Sequence, residues 1–217
     1  MRQANPTPLL TTPVIPVLTI ERLEDAVPLA RALVAGGLPV IEITLRTDVA
    51  LDALRAIAAD VPDAIAGIGT VTKPADIARA CDAGARFLVS PGTPASLLDA
   101  LVDAPVPVLP GCATVSEVMA LADRGFRVLK FFPAEPSGGA RWLRSVAAPL
   151  PQLKFCPTGG IDAGNAASYL ALSNVIAVGG SWVAPAEAVA AGDFGRVTAL
   201  AQAAVRLRQH GRSAPSP

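Results

Sequence analysis

Short apolar runs recur along this chain at intervals of roughly 20 to 25 residues, and between them lie alanine-rich stretches whose apolar positions repeat with helical spacing. The runs are VIPVL (14–18), VIEITL (40–45), AIAGIG (64–69), RFLVS (86–90), VPVLP (106–110), RVLKFF (127–132), KFCP (154–157) and VIAVGG (175–180). The stretches between them include LEDAVPLARALVAGG, KPADIARACDAGA and TVSEVMALADRG, several ending in the glycine expected just past a helix C-terminus. Eight successive strand–helix units predict an α/β fold, a compact (β/α)8 TIM barrel with a closed parallel sheet.

Four runs terminate in proline, in VSPG, VLPG, FFPAE and FCPTGG. Proline has no N–H to give a ladder, so each marks a place where pairing stops and the chain turns outward. In a barrel these are the C-terminal strand ends, where active sites are built, and together they locate the mouth. Residues 1–13 read as an N-terminal extension, 14–210 as one barrel domain and 211–217 as a disordered tail.

Composition narrows the class. With 217 residues, 52% apolar, 17% charged and a formal net charge of zero, the chain reads as a soluble globular protein with no bias toward nucleic acid or anionic membrane. Its mean hydropathy is positive, at +0.47, yet no uninterrupted apolar stretch approaches the roughly 18 to 20 residues that span a bilayer. MRQANPTPLLTTP lacks the lipophilic segment and cleavage site of a secretory signal, so a cytoplasmic location is expected. Cys81, Cys112 and Cys156 are odd in number, far apart and without CxxC spacing, and read as reduced core or near-core thiols. No carboxylate–His cluster points to a metal. The one histidine, His210, lies beside the Gly-Ser-Pro tail and offers no base for a mechanism.

One lysine then demands an explanation. The 18 basic residues divide into 15 arginines and three lysines; Lys73 and Lys154 can reach water, whereas Lys130 sits in the middle of FRVLKFFPAE. Strand residues alternate faces, which puts Val128, Lys130 and Phe132 on one side. In VIEITLR the same alternation puts Glu42, Thr44 and Arg46 on one side and Ile41, Ile43 and Leu45 on the other. The aliphatic side suits helices, so the acid, hydroxyl and guanidinium face the interior, with Arg46 roughly 13 Å beyond Glu42, near the rim. An amine withdrawn from water is more readily deprotonated, and a free amine attacks a ketone to form a Schiff base. A carboxyl group within reach moves the protons that this chemistry requires. The alternative is a structural Lys130–Glu42 ion pair with no chemistry. PTGGI (157–161) and VGGSW (178–182) follow the seventh and eighth runs. Loops at these ordinals are the usual phosphate site of such a barrel, so a phosphorylated ligand is expected.

Taken together, VIPVL, EITLRT, GIGTV, SPG, KFFPAE, FCPTGGI, GGSW and AGDF resemble the 2-dehydro-3-deoxy-phosphogluconate (KDPG) aldolase family over nearly the whole chain. The resemblance implies a class I aldolase of the Entner–Doudoroff pathway, cleaving 2-dehydro-3-deoxy-6-phospho-D-gluconate to pyruvate and D-glyceraldehyde 3-phosphate. It implies a Schiff base at Lys130, proton transfer by Glu42 and binding of the substrate carboxylate by Arg46 and Thr70. Pro91, Phe132 and Thr158 match the pocket, and Gly159, Gly160, Gly180 and Ser181 the phosphate site. It also implies a homotrimer and no metal or other cofactor. A sister aldolase acting on 4-hydroxy-2-oxoglutarate or 2-dehydro-3-deoxy-6-phosphogalactonate would use the same lysine and acid. From a different class, the residues also suit a phosphate-binding barrel without lyase activity, an isomerase or a binding module. Two departures are visible: the segment before VIPVL is short for the helix the family often places there, and PGCATVSE differs from the commoner PG..TP.E.

Overall fold

Alternating strands and helices fill residues 11–210, the part of the chain that the computed structural model describes. Residues 1–10 of the expected extension and the expected tail at 211–217 lie outside the described residues. The strands are β1 (Val14–Leu18), β2 (Val40–Thr44), β3 (Ile65–Gly69), β4 (Leu88–Val89), β5 (Val108–Leu109), β6 (Gly111–Cys112), β7 (Val128–Phe131), β8 (Lys154–Pro157) and β9 (Val178–Gly180). The helices are α1 (Ala26–Ala35), α2 (Ala50–Asp60), α3 (Pro74–Asp82), α4 (Ala95–Val102), α5 (Val115–Asp123), α6 (Gly139–Ala147), α7 (Ala166–Leu170), α8 (Ala186–Ala190) and α9 (Phe194–His210). Among the described residues, no helix is long and apolar enough to cross a membrane.

The strands form a curled six-stranded sheet, in the order β5-β4-β3-β2-β1-β9, and a three-stranded sheet, β6-β7-β8. Every pairing between these strands is parallel. A strand ends before Pro110 as expected, but the chain passes there from one sheet to the other, which corrects the expectation that it turns outward at VLPG. Pro110 cannot donate, so the ladder with β4 breaks there, but its carbonyl accepts from Lys130 N at 2.9 Å and pairing resumes at Gly111 opposite Lys130. The predicted run therefore yields β5, and an unpredicted strand, β6, follows it directly with a different partner. At the other edge, isolated parallel bridges Phe155↔Val175 and Thr158↔Gly179 join β8 to the β9 region.

Side-chain alternation divides the core as expected. Ile41 and Ile43 belong to a large aliphatic cluster shared with helix residues such as Leu29, Leu33, Leu54 and Ile57. Ile15, Val40, Phe87, Val89, Leu109, Val128, Cys156 and Ala177 form a second, smaller cluster. Val40 and Val128 precede Glu42 and Lys130 by two residues, on the same strand faces, so the polar pair stands above an apolar floor.

The predicted helix ends hold: Gly37, Gly84 and Gly125 have φ of 88°, 96° and 93°, the left-handed conformation that closes a helix. At the head of α5, within the departing PGCATVSE, Glu117 N donates to Thr114 Oγ1 at 3.3 Å and Thr114 N donates to Glu117 Oε2 at 2.8 Å. Such a capping box stabilises a helix start by about 1 kcal/mol. His210, expected beside a frayed tail, is the last residue of α9. That helix buries Val197, Ala201 and Ala204, and a Cβ at Gly36 would fall 2.4 Å from that of Ala201.

Candidate active site

Lys130 and Glu42 meet across the two sheets, β7 contributing the amine and β2 the acid. Lys130 Nζ donates to Glu42 Oε1 at 3.0 Å and to Oε2 at 3.4 Å. The two residues are only 5% and 3% exposed, so each charge is stabilised chiefly by the other. Space for the carboxylate comes from β3: a Cβ at Gly69 would fall 2.0 Å from Glu42 Oε1. Nζ also lies 5.5 Å from the centroid of the Phe132 ring.

Two buried thiols flank this amine. Cys112 Sγ donates to Lys130 O at 3.4 Å, and Cys156 pairs with Lys130 between β7 and β8. Burial pushes both thiols up to about 12, against which the nearby Lys130 acts on Cys156 only as a lesser, lowering influence. They stay protonated at neutral pH and do not compete as nucleophiles.

A cleft of about 500 Å³ opens beside the pair and is lined by Arg46, Phe132, Thr158, Gly159, Gly160, Gly180 and Ser181, together with Trp182 and the apolar Val17 and Leu18. Seven of the predicted site residues thus share one cavity. Lys130 and Glu42 are not among its lining; Phe132 connects them to it. The side chain of the exposed Arg46 makes no hydrogen bond or ion pair among the described residues, which leaves its forked donor available. Arg46 also borders a second cleft of about 330 Å³, and Thr70 lines that one instead, beside Thr72 and Lys73. Thr70 has φ of 63°, a conformation rarely adopted by a β-branched residue. Pro91 lines neither cleft and packs on β6: a Cβ at Gly111 would fall 2.3 Å from Pro91 C. The hydroxyls of Ser90 and Thr93 hold Gly111 N and O at 3.1 and 3.0 Å.

The loop after β8 is tied by its carbonyls. Gly159 O accepts from Glu135 N at 3.1 Å and Gly160 O from Asn165 Nδ2 at 2.8 Å. Among the described residues, the N–H groups of Gly159 and Gly160 have no such partner. Their φ values of 100° and 76° require glycine. Consecutive free amides in left-handed backbone form a concavity suited to an anion. At the end of β9, a Cβ at Gly180 would collide with the Trp182 ring at 1.7 Å.

Three contributors escaped the sequence reading. Gly69 and Trp182 lie inside motifs already noted, GIGTV and GGSW, but their roles depend on neighbouring side chains. Tyr169, the only tyrosine, is buried with its hydroxyl donating to Glu135 Oε1. Its rarity in the composition was the one available signal. Among the described residues, no group of three or more His, Cys, Asp or Glu is arranged to hold a metal ion.

A family model described as KDPG and KHG aldolase matches residues 7–200. The chain is 52% identical over 197 residues to the Escherichia coli (strain K12) protein named KHG/KDPG aldolase, covering 91% of this chain and 92% of that one. It is equally similar, at 52% over 197 residues and the same coverage, to the 2-dehydro-3-deoxy-phosphogluconate aldolase of Dickeya dadantii. Among solved structures, it matches a KDPG aldolase from Legionella pneumophila with pyruvate captured as a covalent carbinolamine intermediate. The TM-score is 0.91 at 45% identity, covering 93% of this chain and 98% of that one.

Proposed function

The chain belongs to the KDPG and KHG aldolase family and is a carbon–carbon lyase, and from that premise we propose that it cleaves KDPG reversibly to pyruvate and glyceraldehyde 3-phosphate through a Schiff base on Lys130. The observation that carries this reading is the buried Lys130–Glu42 pair, with the carboxylate 3.0 Å from the amine. Glu42 takes a proton from the ammonium, and the free amine adds to the C2 ketone. Glu42 returns that proton to the carbinolamine hydroxyl, which leaves as water to give an iminium and a free carboxylate. That iminium accepts the electrons of the C3–C4 bond as the C4 hydroxyl gives up its proton to Glu42, directly or through one water, and the aldehyde leaves. Protonation of the enamine at C3 and addition of water release pyruvate and restore the amine. The iminium is the electron sink, so the reaction as proposed needs no metal or other cofactor.

Arg46 binds the substrate carboxylate with its unpaired fork, joined by Thr70, which lines the second cleft that Arg46 also borders. The free amides of Gly159 and Gly160, with Gly180 and Ser181, take the phosphate; Phe132 and Thr158 wall the space between, and Pro91 acts from behind β6. Activity on 4-hydroxy-2-oxoglutarate is a second reading, favoured by the paired name of the E. coli relative. We also read residues 14–210 as one closed eight-fold barrel, supported by the passage through Pro110 and the two bridges from β8. A homotrimer and a cytoplasmic location complete the proposal, supported respectively by Val115 and Met119, exposed one turn apart on α5, and by three unpaired cysteines.

Borohydride reduction in the presence of pyruvate tests the mechanism. The wild type should gain one reduced adduct on Lys130, and Lys130→Met none. An adduct mapped to Lys73 or Lys154 overturns the assignment.

A further inference from the structure

Behind the glycine loop lies a polar contact that the reaction itself does not use. The Tyr169 hydroxyl, on a residue 1% exposed, donates to Glu135 Oε1 from within α7. Glu135 is exposed and its side-chain stem packs on the glycine loop: a Cβ at Gly160 would fall 2.7 and 2.8 Å from Glu135 Cβ and Cγ. Its carboxylate is held at the Tyr169 hydroxyl and beside Gly139, where a Cβ would meet Tyr169 Oη at 3.1 Å and Glu135 Oε1 at 3.3 Å. An anion beside an anion-binding loop is either a competitor or a repellent, because free amides attract any nearby carboxylate and like charges disfavour each other.

We propose that Tyr169 is a positioning residue that tethers the Glu135 carboxylate away from the Gly159–Gly160 amides and so sets the preference for phosphorylated over unphosphorylated aldehydes. The inference rests on the phosphate site proposed above. Position 135 also supports the loop, its backbone N–H anchoring Gly159 O and its Cβ and Cγ lying against Gly160, contacts that Gln at 135 would keep. Burial and the hydrogen bond to Glu135 both raise the Tyr169 hydroxyl above its ordinary range, so the tether keeps its proton at working pH.

The test is aldol synthesis from pyruvate with glyceraldehyde 3-phosphate or glyceraldehyde as acceptor, with exchange of the pyruvate methyl hydrogens as a control for the amine and acid. Tyr169→Phe should raise KM for the phosphorylated acceptor about tenfold, the effect of one lost hydrogen bond, and leave KM for glyceraldehyde and methyl exchange near wild type. Tyr169→Phe/Glu135→Gln should recover most of the loss, since a neutral amide neither repels phosphate nor competes as an anion. A Tyr169→Phe effect equal for both acceptors, or one not relieved by Glu135→Gln, overturns the proposal. Ser181→Ala separates the two levels. If it weakens only the phosphorylated acceptor while Tyr169→Phe does not, the tether is wrong and the phosphate site stands. If Ser181→Ala is also unselective, the phosphate site falls and the tether with it.

Discussion

Glu42 has a neighbour that makes its position possible, because the missing side chain of Gly69 leaves the space that its carboxylate occupies beside Lys130. If the acid carries protons, Glu42→Gln should still be trapped by borohydride with pyruvate. It should lose methyl exchange and KDPG cleavage together, by about 10²- to 10⁴-fold, the cost of a missing general base. Exchange near the wild-type rate in that variant would remove Glu42 from the mechanism. Gly69→Ala should act through the same atom. The added methyl displaces the carboxylate by about 1 Å, which can cost on the order of 10²-fold without touching substrate. Its effect should largely vanish when combined with Glu42→Gln, as expected of two changes to one interaction; full additivity of the losses would refute the link. The burial and mutual approach of Lys130 and Glu42 were legible because strand alternation aims them inward. Gly69 was not, since a glycine seen in sequence says nothing of the side chain that fills its missing Cβ.

Elements set which chemistry each loop can do. β8 and β9 each deliver a glycine pair to the cleft, and order along the chain predicted that much. What it could not predict is that Trp182 folds back over Gly180, or that carbonyls rather than amides of the β8 loop are tied down. Those facts belong to packing between loops. Gly180→Ala should push the indole aside, change tryptophan fluorescence and raise KM for the phosphorylated acceptor about tenfold with little effect on glyceraldehyde; equal losses for both acceptors would show that this loop does not select phosphate. Proline misled at Pro110 for a related reason. Its missing N–H interrupts one ladder, but sequence does not reveal that another strand waits to pair with the next two residues.

For the whole molecule, burial of the two thiols ties stability to alkaline pH. Cys112 and Cys156 hold their protons up to about 12 when folded, against an ordinary value of 9.0. The folded state therefore binds protons that the unfolded state has already released. This stabilising contribution is fully present below about pH 9 and is lost as pH rises toward 12. Urea midpoints should fall across that interval, and Cys112→Ala/Cys156→Ala should show a shallower fall; an identical slope would assign the loss to other groups. The family fold was legible at this scale from repeated units. The exact seam between the sheets was not, because it depends on two bridges and one proline rather than on any periodic pattern.

The amine and the acid stand on strands from different sheets, so their contact exists only when the sheets are docked. Catalysis is thereby a gauge of assembly. A chain that has formed its helices and both sheets but not brought them together would give native-like far-UV circular dichroism and no turnover. In graded denaturant, methyl exchange should disappear at or before the loss of helical signal and never after it; exchange outlasting the helices would mean that the two groups find each other without the frame that holds them.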